Sequence, residues 1–291
     1  MKNKYEKLIE GLQIELHKKT EDYEKEAVKL DEIIKNNMKD YDAQIGVINP
    51  LRHELRVEIR NLYKFLNGLG DIGKNISVFD FSVENLAKSD GGDLLKVDLE
   101  NYEKPEHKKY FFAGKLFSFL ANRNNDKKAY LEMVECLEQQ KTEFDEDLKH
   151  RDAVKNFYSS ATKIADTYRC TLAMVKDAID MTILPELSGI EAFLSAATIK
   201  DCIISKQDPR LAMPAKIDEF EGTLFDCHYV FVKNCVDYYT LIVDFFTKTV
   251  LTNIIEDNKI TKKEKEDFEE GVTKINESTE AIKTLVRFGE V

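Results

Sequence analysis

The sequence FLNGLGDIGKN contains the glycine spacing G-x-G-x-x-G at Gly68, Gly70 and Gly73. Asp90 and Asp93 follow at about the distance at which a dinucleotide site places the acid that binds ribose. Such a site needs a strand before the first glycine and a helix after the last. Here leucines at steps of three and four lead a helix into the glycines, and an extended or β-like stretch follows them. We therefore interpret the glycines as a helix C-terminus with a flexible loop and expect no nucleotide.

The same stretch suggests a second use. Leu66, Leu69 and Ile72 would form an apolar tip at the end of a helical rod. Together with a very apolar predicted helix at 215–256, this tip favours a membrane-acting protein of the pore-forming or remodelling type as an alternative function. Charged residues recur through that helix, and each would cost about 2.5–3.5 kcal/mol at a bilayer centre.

A calcium-loop pattern is present but incomplete. Residues 253–264, NIIEDNKITKKE, align with an EF-hand loop, yet Ile255 stands at the third ligand place and Asn258 where glycine is needed. The remaining carboxylates do not complete a shell of 6–8 oxygens. A connection between helices, with Thr261 as the cap of the last one, explains the same residues, and we expect no bound metal.

The histidines and cysteines are scattered. They are His17, His53, His107, His150 and His228, and Cys136, Cys170, Cys202, Cys227 and Cys235. We interpret the cysteines as small buried hydrophobic residues in a reducing compartment, since they are odd in number and lack C-x-x-C spacing. A cysteine–histidine dyad stays open because catalytic partners meet only in space, so an enzyme with a dispersed site is the third alternative. The sequence predicts no catalytic site and no cofactor.

A basic stripe marks one helix. Arg52, Arg56, Arg60 and Lys64 recur every four residues, and like charges at this spacing repel each other. We expect an acidic helix of the same chain or of a partner subunit to face them, with phosphate or anionic lipid as the alternative. The acidic runs that suit this role are Glu143, Asp145, Glu146 and Asp147, and Glu264, Glu266, Asp267, Glu269 and Glu270.

Composition indicates long helices and a water-exposed surface. Of 291 residues, 43% are hydrophobic and 33% charged, with only 5 Pro and 12 Gly, and few helix breakers favour long helices. The net charge of −11 disfavours nucleic acid as a partner. The N-terminal residues lack a secretory pattern and no apolar run reaches transmembrane length. A cytoplasmic location is the expectation, and leaderless secretion stays open.

The apolar periodicity predicts the order of the helices. The predicted elements up to residue 205 are a coiled-coil-like helix at 2–45, a kink or break at Gly46–Pro50, a helix to Leu69, and a long helix at 127–184 that resumes at 189–205 after a kink at Pro185 and Gly189. A linker at 206–214, a helix at 215–256 and a last helix to about Phe288 follow.

These elements predict an all-α fold, an elongated antiparallel helical bundle with long coiled-coil-like helices. Its parts are N-terminal helices at 1–69, a loop-rich insert with short helices at 70–126 and a long-helix core at 127–291, expected to form one continuous domain. The predicted function is a non-catalytic scaffold or assembly protein. It would act through helix–helix protein contacts and oligomerise, because the narrow apolar seam of the first helix needs a partner.

Overall fold

A computed structural model describes residues 4–73, 127–246 and 262–286. The described helices are α1 (Lys4–Leu69), α2 (Lys127–Ala178), a π-helical turn (Ile179–Ile183), α3 (Leu184–Ser205), 3-10 turns at Pro209–Leu211 and Ile217–Phe220, α4 (Asp226–Phe246) and α5 (Lys262–Val286). No strand occurs in these three ranges. The predicted all-α helical bundle is confirmed.

The chain divides into two compact units. Of the described residues, the first unit holds 4–42 and 127–163, and the second holds 43–73, 164–246 and 262–286. Each unit therefore takes part of α1 and part of α2, whereas the predicted division followed the order of the chain.

Helix α1 continues through the segment where the sequence predicted a break. Pro50 lies inside the helix, although an interior proline removes one backbone hydrogen bond and costs about 3 kcal/mol. On either side, Ile45, Ile48 and Leu55 are fully buried. Burial of such side chains stabilises by about 1.5–3 kcal/mol each, which offsets the cost. The predicted break is wrong because local helix propensity is overridden by packing.

Buried positions recur every seven residues on the first two helices. On α1 they form two rows: Ala27, Ile34, Tyr41, Ile48, Leu55, Leu62 and Leu69; and Asp31, Met38, Ile45, Arg52, Ile59 and Leu66. On α2 one such row is Leu137, Phe144, Arg151, Tyr158, Ala165 and Leu172. Alternating steps of three and four keep the two rows of α1 on one face of the helix. Charged residues occupy three of these otherwise apolar or aromatic positions, Asp31, Arg52 and Arg151.

Helices α1 and α2 run in the same direction in each unit. Partners in the first unit are Tyr23 with Phe144, Asp31 with Arg151 and Asn37 with Lys155; in the second they are Gln44 with Arg169 and Glu54 with Lys176. The residue numbers of both partners rise together, which is the signature of a parallel pair. For this helix pair the direction differs from the predicted antiparallel one, because an apolar repeat does not specify direction.

A buried charge network joins the two helices of the first unit. The Arg151 side chain is 1% exposed and pairs with Asp31 and, from Nε, with Asp147 at 2.7 Å. Tyr23 donates its hydroxyl proton to Asp147 at 2.8 Å and stacks on Phe144. Burial by itself lowers the pKa of Arg151, but hydrogen bonds and charge from Asp147 and Asp31 outweigh it and raise that pKa. The guanidinium therefore stays charged inside the unit.

Helix α4 forms much of the core of the second unit. Its contacts with α1 pair Arg52 with Phe246 and Tyr63 with Tyr239, so the residue numbers run in opposite senses. Here the predicted antiparallel packing is found. The α4 helix begins at Asp226, whereas the sequence predicted a helix from residue 215. The chain between 215 and 225 forms the Ile217–Phe220 turn and further turns instead.

Candidate functional site

The four residues of the basic stripe lie in different surroundings. Arg52 is fully buried, Arg56 is half-buried, and Arg60 and Lys64 are exposed. The even spacing in the sequence therefore does not produce one continuous basic surface. A role in binding an anion or an acidic partner stays a prediction, and among these four it applies to Arg60 and Lys64.

Arg52 is held by aromatic residues of the second unit. Its Nη1 donates hydrogen bonds to the Tyr168 hydroxyl and to the Phe246 carbonyl, the latter at 3.1 Å. The guanidinium carbon lies 4.4 Å from the centre of the Phe246 ring, and that of Arg56 lies 6.0 Å from the same ring. Desolvated cation–π contacts of this kind contribute about 2 kcal/mol. Arg52 is thus a core residue, out of reach of an external ligand.

The residues of the predicted apolar tip are packed in the second unit. Leu66 and Leu69 are buried and Ile72 is half-buried. The loop that follows α1 is held by the Asp218 carboxylate, which accepts hydrogen bonds from the amides of Asp71 at 2.6 Å and Ile72 at 3.0 Å. Leu66 and Leu69 are therefore not presented at a surface in this structure, and Ile72 is only partly exposed.

One glycine of the motif, Gly70, serves the same contact. A Cβ added at Gly70 would overlap the Asp218 carboxylate and touch Ile217, so glycine permits the close approach of this acid. A phosphate loop would use such amides to bind an anion. Here the amides of Asp71 and Ile72 instead donate hydrogen bonds to the Asp218 carboxylate of the same chain. Asp90 and Asp93, and residues 253–261 of the calcium-like segment, lie outside the described residues.

The two residues of the cysteine–histidine candidate lie in different surroundings. Cys227 is exposed, while the His228 ring packs 4.8 Å from the ring centre of Phe193. Within the described ranges, no group of three or more His, Cys, Asp or Glu residues has the arrangement of a metal site.

The cysteines divide into buried and exposed residues. Cys202 and Cys235 are buried, as predicted, and burial together with the charge of Glu186 raises the pKa of Cys235 to about 12. Cys170 and Cys227 are exposed, so the predicted burial of these two is wrong.

Exposed apolar residues lie in the last turns of α3, which the sequence predicted as helix, and in the linker predicted at 206–214. We call this set the apolar loop surface and define it as Ile199, Ile203, Ile204, Leu211 and Met213. Their exposed fractions are 50%, 71%, 71%, 85% and 84%, respectively. Single exposed apolar residues are ordinary, whereas several together mark interaction sites. This surface is the strongest candidate functional site of the described chain.

The loop that carries Leu211 and Met213 is ordered by its own hydrogen bonds. Its first turn is closed by the Gln207 amide on the Cys202 carbonyl at 3.0 Å. Its far end is tied by the Ala215 amide, which donates to Thr198 Oγ1 at 2.8 Å. The loop therefore folds back over the last turns of α3 and brings its apolar side chains to the same end of the helix as Ile203.

The middle of the loop is braced by a bidentate ion pair. Asp208 accepts a hydrogen bond from the Arg210 amide at 3.0 Å and pairs with the Arg210 guanidinium at 3.0 Å. Pro209 and Pro214 fix their own φ angles. The ion pair and the two prolines therefore hold the loop in a conformation that exposes apolar side chains to water. The hydration of these side chains is unfavourable.

Lys206, between α3 and the loop, has an unfavourable backbone conformation. It ends α3 with φ 57° and ψ 33°, and its amide bonds to the carbonyls of Cys202 and Ile203. Left-handed backbone costs a non-glycine residue about 1–2 kcal/mol, and glycine is the usual residue at such a cap. Strain of this kind tends to persist where function requires it.

The surface carries charges of both signs. Between residues 199 and 216 there are four basic side chains, Lys200, Lys206, Arg210 and Lys216, and two acidic ones, Asp201 and Asp208. Arg210 pairs with Asp208, and Lys216 pairs with Asp71. Asp201 offsets one of the two remaining lysines, Lys200 and Lys206.

One sequence signal pointed to this surface. Leu211 and Met213 are apolar residues in a proline-bounded linker, where polar residues are usual. Ile203 and Ile204 gave no such signal, because they fit the helical spacing of the segment that precedes the linker.

Comparison of the chain with protein-family models, curated proteins and solved structures gives no match. Among the helices in the described part of the chain, none combines the length and apolarity needed to cross a membrane.

Proposed function

We propose that the protein is a non-catalytic scaffold or assembly protein that docks onto another molecule through the apolar loop surface. The observation that carries the proposal is an ordered loop, tied back to α3, that exposes Leu211 and Met213. Exposed apolar side chains on a hydrogen-bonded loop are a liability for solubility unless a partner covers them. Because the loop is already ordered, little conformational entropy is lost on docking.

The parallel pairing of α1 and α2 supports a scaffold role. A seven-residue repeat of buried positions and buried polar residues within it are features of coiled coils, in which polar residues fix the register of the helices. We propose that the pair is a coiled coil and that it supplies a stiff support for the loop. The predicted oligomerisation through long helices remains part of this proposal.

The proposal is tested with a triple variant, Ile203→Ser, Leu211→Ser and Met213→Ser. Light scattering over a concentration series would measure self-association, and co-sedimentation with lipid vesicles would measure membrane contact. We expect the wild type to associate in at least one assay and the variant to lose that association.

Met181→Ser is the matched control, because Met181 is 80% exposed but lies outside the surface. A wild-type chain that is monomeric and vesicle-free at all concentrations would contradict the proposal. So would a triple variant that behaves as the wild type does.

A further inference from the structure

We infer that another surface of the second unit binds an arginine-bearing basic segment of a partner protein. We call it the aromatic–acidic surface and define it as Phe193, Phe220, Phe225, His228, Glu221 and Asp226. In the complex, a guanidinium stacks on the exposed ring of Phe225 and pairs with the two carboxylates. The inference goes beyond the proposed function, because this surface shares no residue with the apolar loop surface.

The rings of this surface form one cluster where α3 meets the start of α4. The ring centre of Phe193, on α3, lies 4.9 Å from that of Phe220 and 5.1 Å from that of Phe225. The His228 ring, in the first turn of α4, lies 4.8 Å from the Phe193 ring. Phe225 is 48% exposed and the other three are half-buried. Aromatic residues are enriched in protein interfaces, so the exposed side of the cluster has the composition of a protein-binding site.

The segment that carries Phe220 and Phe225 is ordered by its own hydrogen bonds. Thr223 Oγ1 donates to the Phe220 carbonyl at 2.7 Å and accepts from the Phe225 amide at 3.1 Å. Gly222 supplies the left-handed position of this turn, with φ 69°, and its amide donates to the Asp226 carboxylate at 2.7 Å. The rings are therefore held in place before a partner arrives, which lowers the entropy lost on binding.

The surroundings of the rings are acidic. The stretch 184–237, which supplies all four rings, contains nine acidic and five basic side chains, a net charge of −4. Lys216, the basic residue closest in sequence to Phe220, already pairs with Asp71 at 3.0 Å. Glu221 and Asp226 form no ion pair within the described part of the chain. Their charges are therefore available to a cation.

Hydrogen bonds hold these carboxylates without cancelling their charge, because the donors are neutral. Asp226 accepts from a backbone amide, and the Tyr229 hydroxyl is hydrogen-bonded to Glu221. Burial raises the pKa of Tyr229, and the negative charges of Glu221, Asp218 and Asp226 raise it further. Three carboxylates thus act together on a side chain next to His228, and a negative field of this kind attracts cations.

The rings and the charges select the same ligand. The face of an aromatic ring attracts a cation. Arginine suits both features, since its flat guanidinium stacks on aromatic rings and binds carboxylates through two parallel hydrogen bonds. In a twofold contact with a second copy of the chain, Glu221 and Asp226 would face the same carboxylates, and like charges oppose such a contact. Nucleic acid and anionic lipid are repelled by the same charges.

The test measures binding of a short fluorescent peptide of alternating arginine and serine to the full-length protein by fluorescence anisotropy. The matched peptide has citrulline in place of arginine, which keeps the shape of the side chain and removes its charge. We expect the arginine peptide to bind and added salt to weaken its binding. The citrulline peptide should bind at least about fivefold more weakly.

Matched variants separate the ring from the charges. Phe225→Leu removes the ring and should weaken peptide binding about two- to fivefold, whereas Phe225→Tyr keeps the ring and should bind as the wild type does. Glu221→Gln with Asp226→Asn keeps the hydrogen-bond acceptors, removes both charges and should weaken binding about fivefold. Glu24→Gln with Glu26→Gln is its control, because it removes the same net charge from exposed positions of the first unit, and it should leave binding unchanged.

Several results would overturn the inference. One is equal binding of the arginine and citrulline peptides. Another is an equal loss of affinity in the Glu221, Asp226 variant and in its Glu24, Glu26 control, because the peptide would then respond to the total charge of the chain. The triple variant of the apolar loop surface should bind the peptide as the wild type does, and a loss of binding there would place the site elsewhere. Self-association or vesicle binding by a wild-type chain that ignores the peptide would overturn this inference and leave the proposed function in place.

Discussion

The Arg151→Met substitution tests the buried charge network of the first unit. In the wild type, one guanidinium that is 1% exposed balances two carboxylates, those of Asp31 and Asp147. Methionine keeps much of the apolar volume of arginine but removes the charge. The two carboxylates are then left close together without a counter-charge, which is the main cost of the change.

The size of the effect follows from the burial of the two carboxylates that lose their counter-charge. Breaking a buried ion pair by removing one partner costs about 3–5 kcal/mol. The side chains of Asp31 and Asp147 retain 10% and 23% exposure, so water reaches them in part. We therefore expect a loss near the lower end, about 3 kcal/mol in the free energy of unfolding.

The double variant Asp31→Leu with Arg151→Met should recover most of this loss. It removes one of the stranded charges and places two apolar side chains on facing helices, and apolar replacements of buried pairs are often neutral or stabilising. Asp147 keeps its hydrogen bond from Tyr23. The double variant should lie within about 1 kcal/mol of the wild type.

Urea denaturation followed by far-ultraviolet circular dichroism measures these differences. Lys128→Met is the matched control, because Lys128 lies 3.9 Å from Glu132 in a pair whose side chains are 80% and 41% exposed. Such surface pairs contribute about 0.5 kcal/mol or less. The reasoning is refuted if Arg151→Met costs no more than this control. It is also refuted if the double variant is as unstable as the single one.

Three further predictions concern the second unit. Gly70→Ala should destabilise the protein by about 1–3 kcal/mol, because the added Cβ displaces the Asp218 carboxylate from two amides. Gly68→Ala is the control and should be neutral or stabilising, because the space around Gly68 is open. Equal effects of the two variants in urea denaturation would argue against this. Lys206→Gly should raise the unfolding free energy by about 0.5–1 kcal/mol by relieving the left-handed strain, and an unchanged or lowered midpoint would count against that strain. The buried Cys235 thiol has a pKa raised to about 12 and stays protonated at pH 8. Cys235 should therefore react with Ellman's reagent only after denaturation, unlike the exposed Cys170. Labelling of both cysteines at one rate in the folded protein, assigned with a Cys235→Ala variant, would disprove this prediction.

The surface of the chain was harder to predict from sequence than its core. Leu66 and Leu69 appeared available for a tip, but the second unit buries them. Ile203 has the same spacing as a core residue, yet it is exposed. A periodic pattern shows which residues share a face of a helix, whereas the covering of that face depends on neighbours that are distant in the chain.

Charged residues show the same limit. Arg52 and Arg60 have the same residue type and lie on one stripe, but Arg52 is enclosed by Tyr168 and Phe246 while Arg60 is exposed. The Arg151 network was not predicted at all, because Asp31 and Arg151 are 120 residues apart and become partners only when the two helices align. No local signal reports on such a pairing.

The amino-acid sequence by itself determined that this protein is all-α, and it determined most of the helices and the faces they bury, because apolar steps of three and four are a local property of the chain. The tertiary structure alone decided that α1 continues past Pro50, that α1 and α2 run parallel, and that the apolar residues at the end of α3 remain exposed. These features depend on the energy of long-range packing. The seven-residue repeat by itself is compatible with parallel and with antiparallel helix pairs, and it does not determine which helices pair.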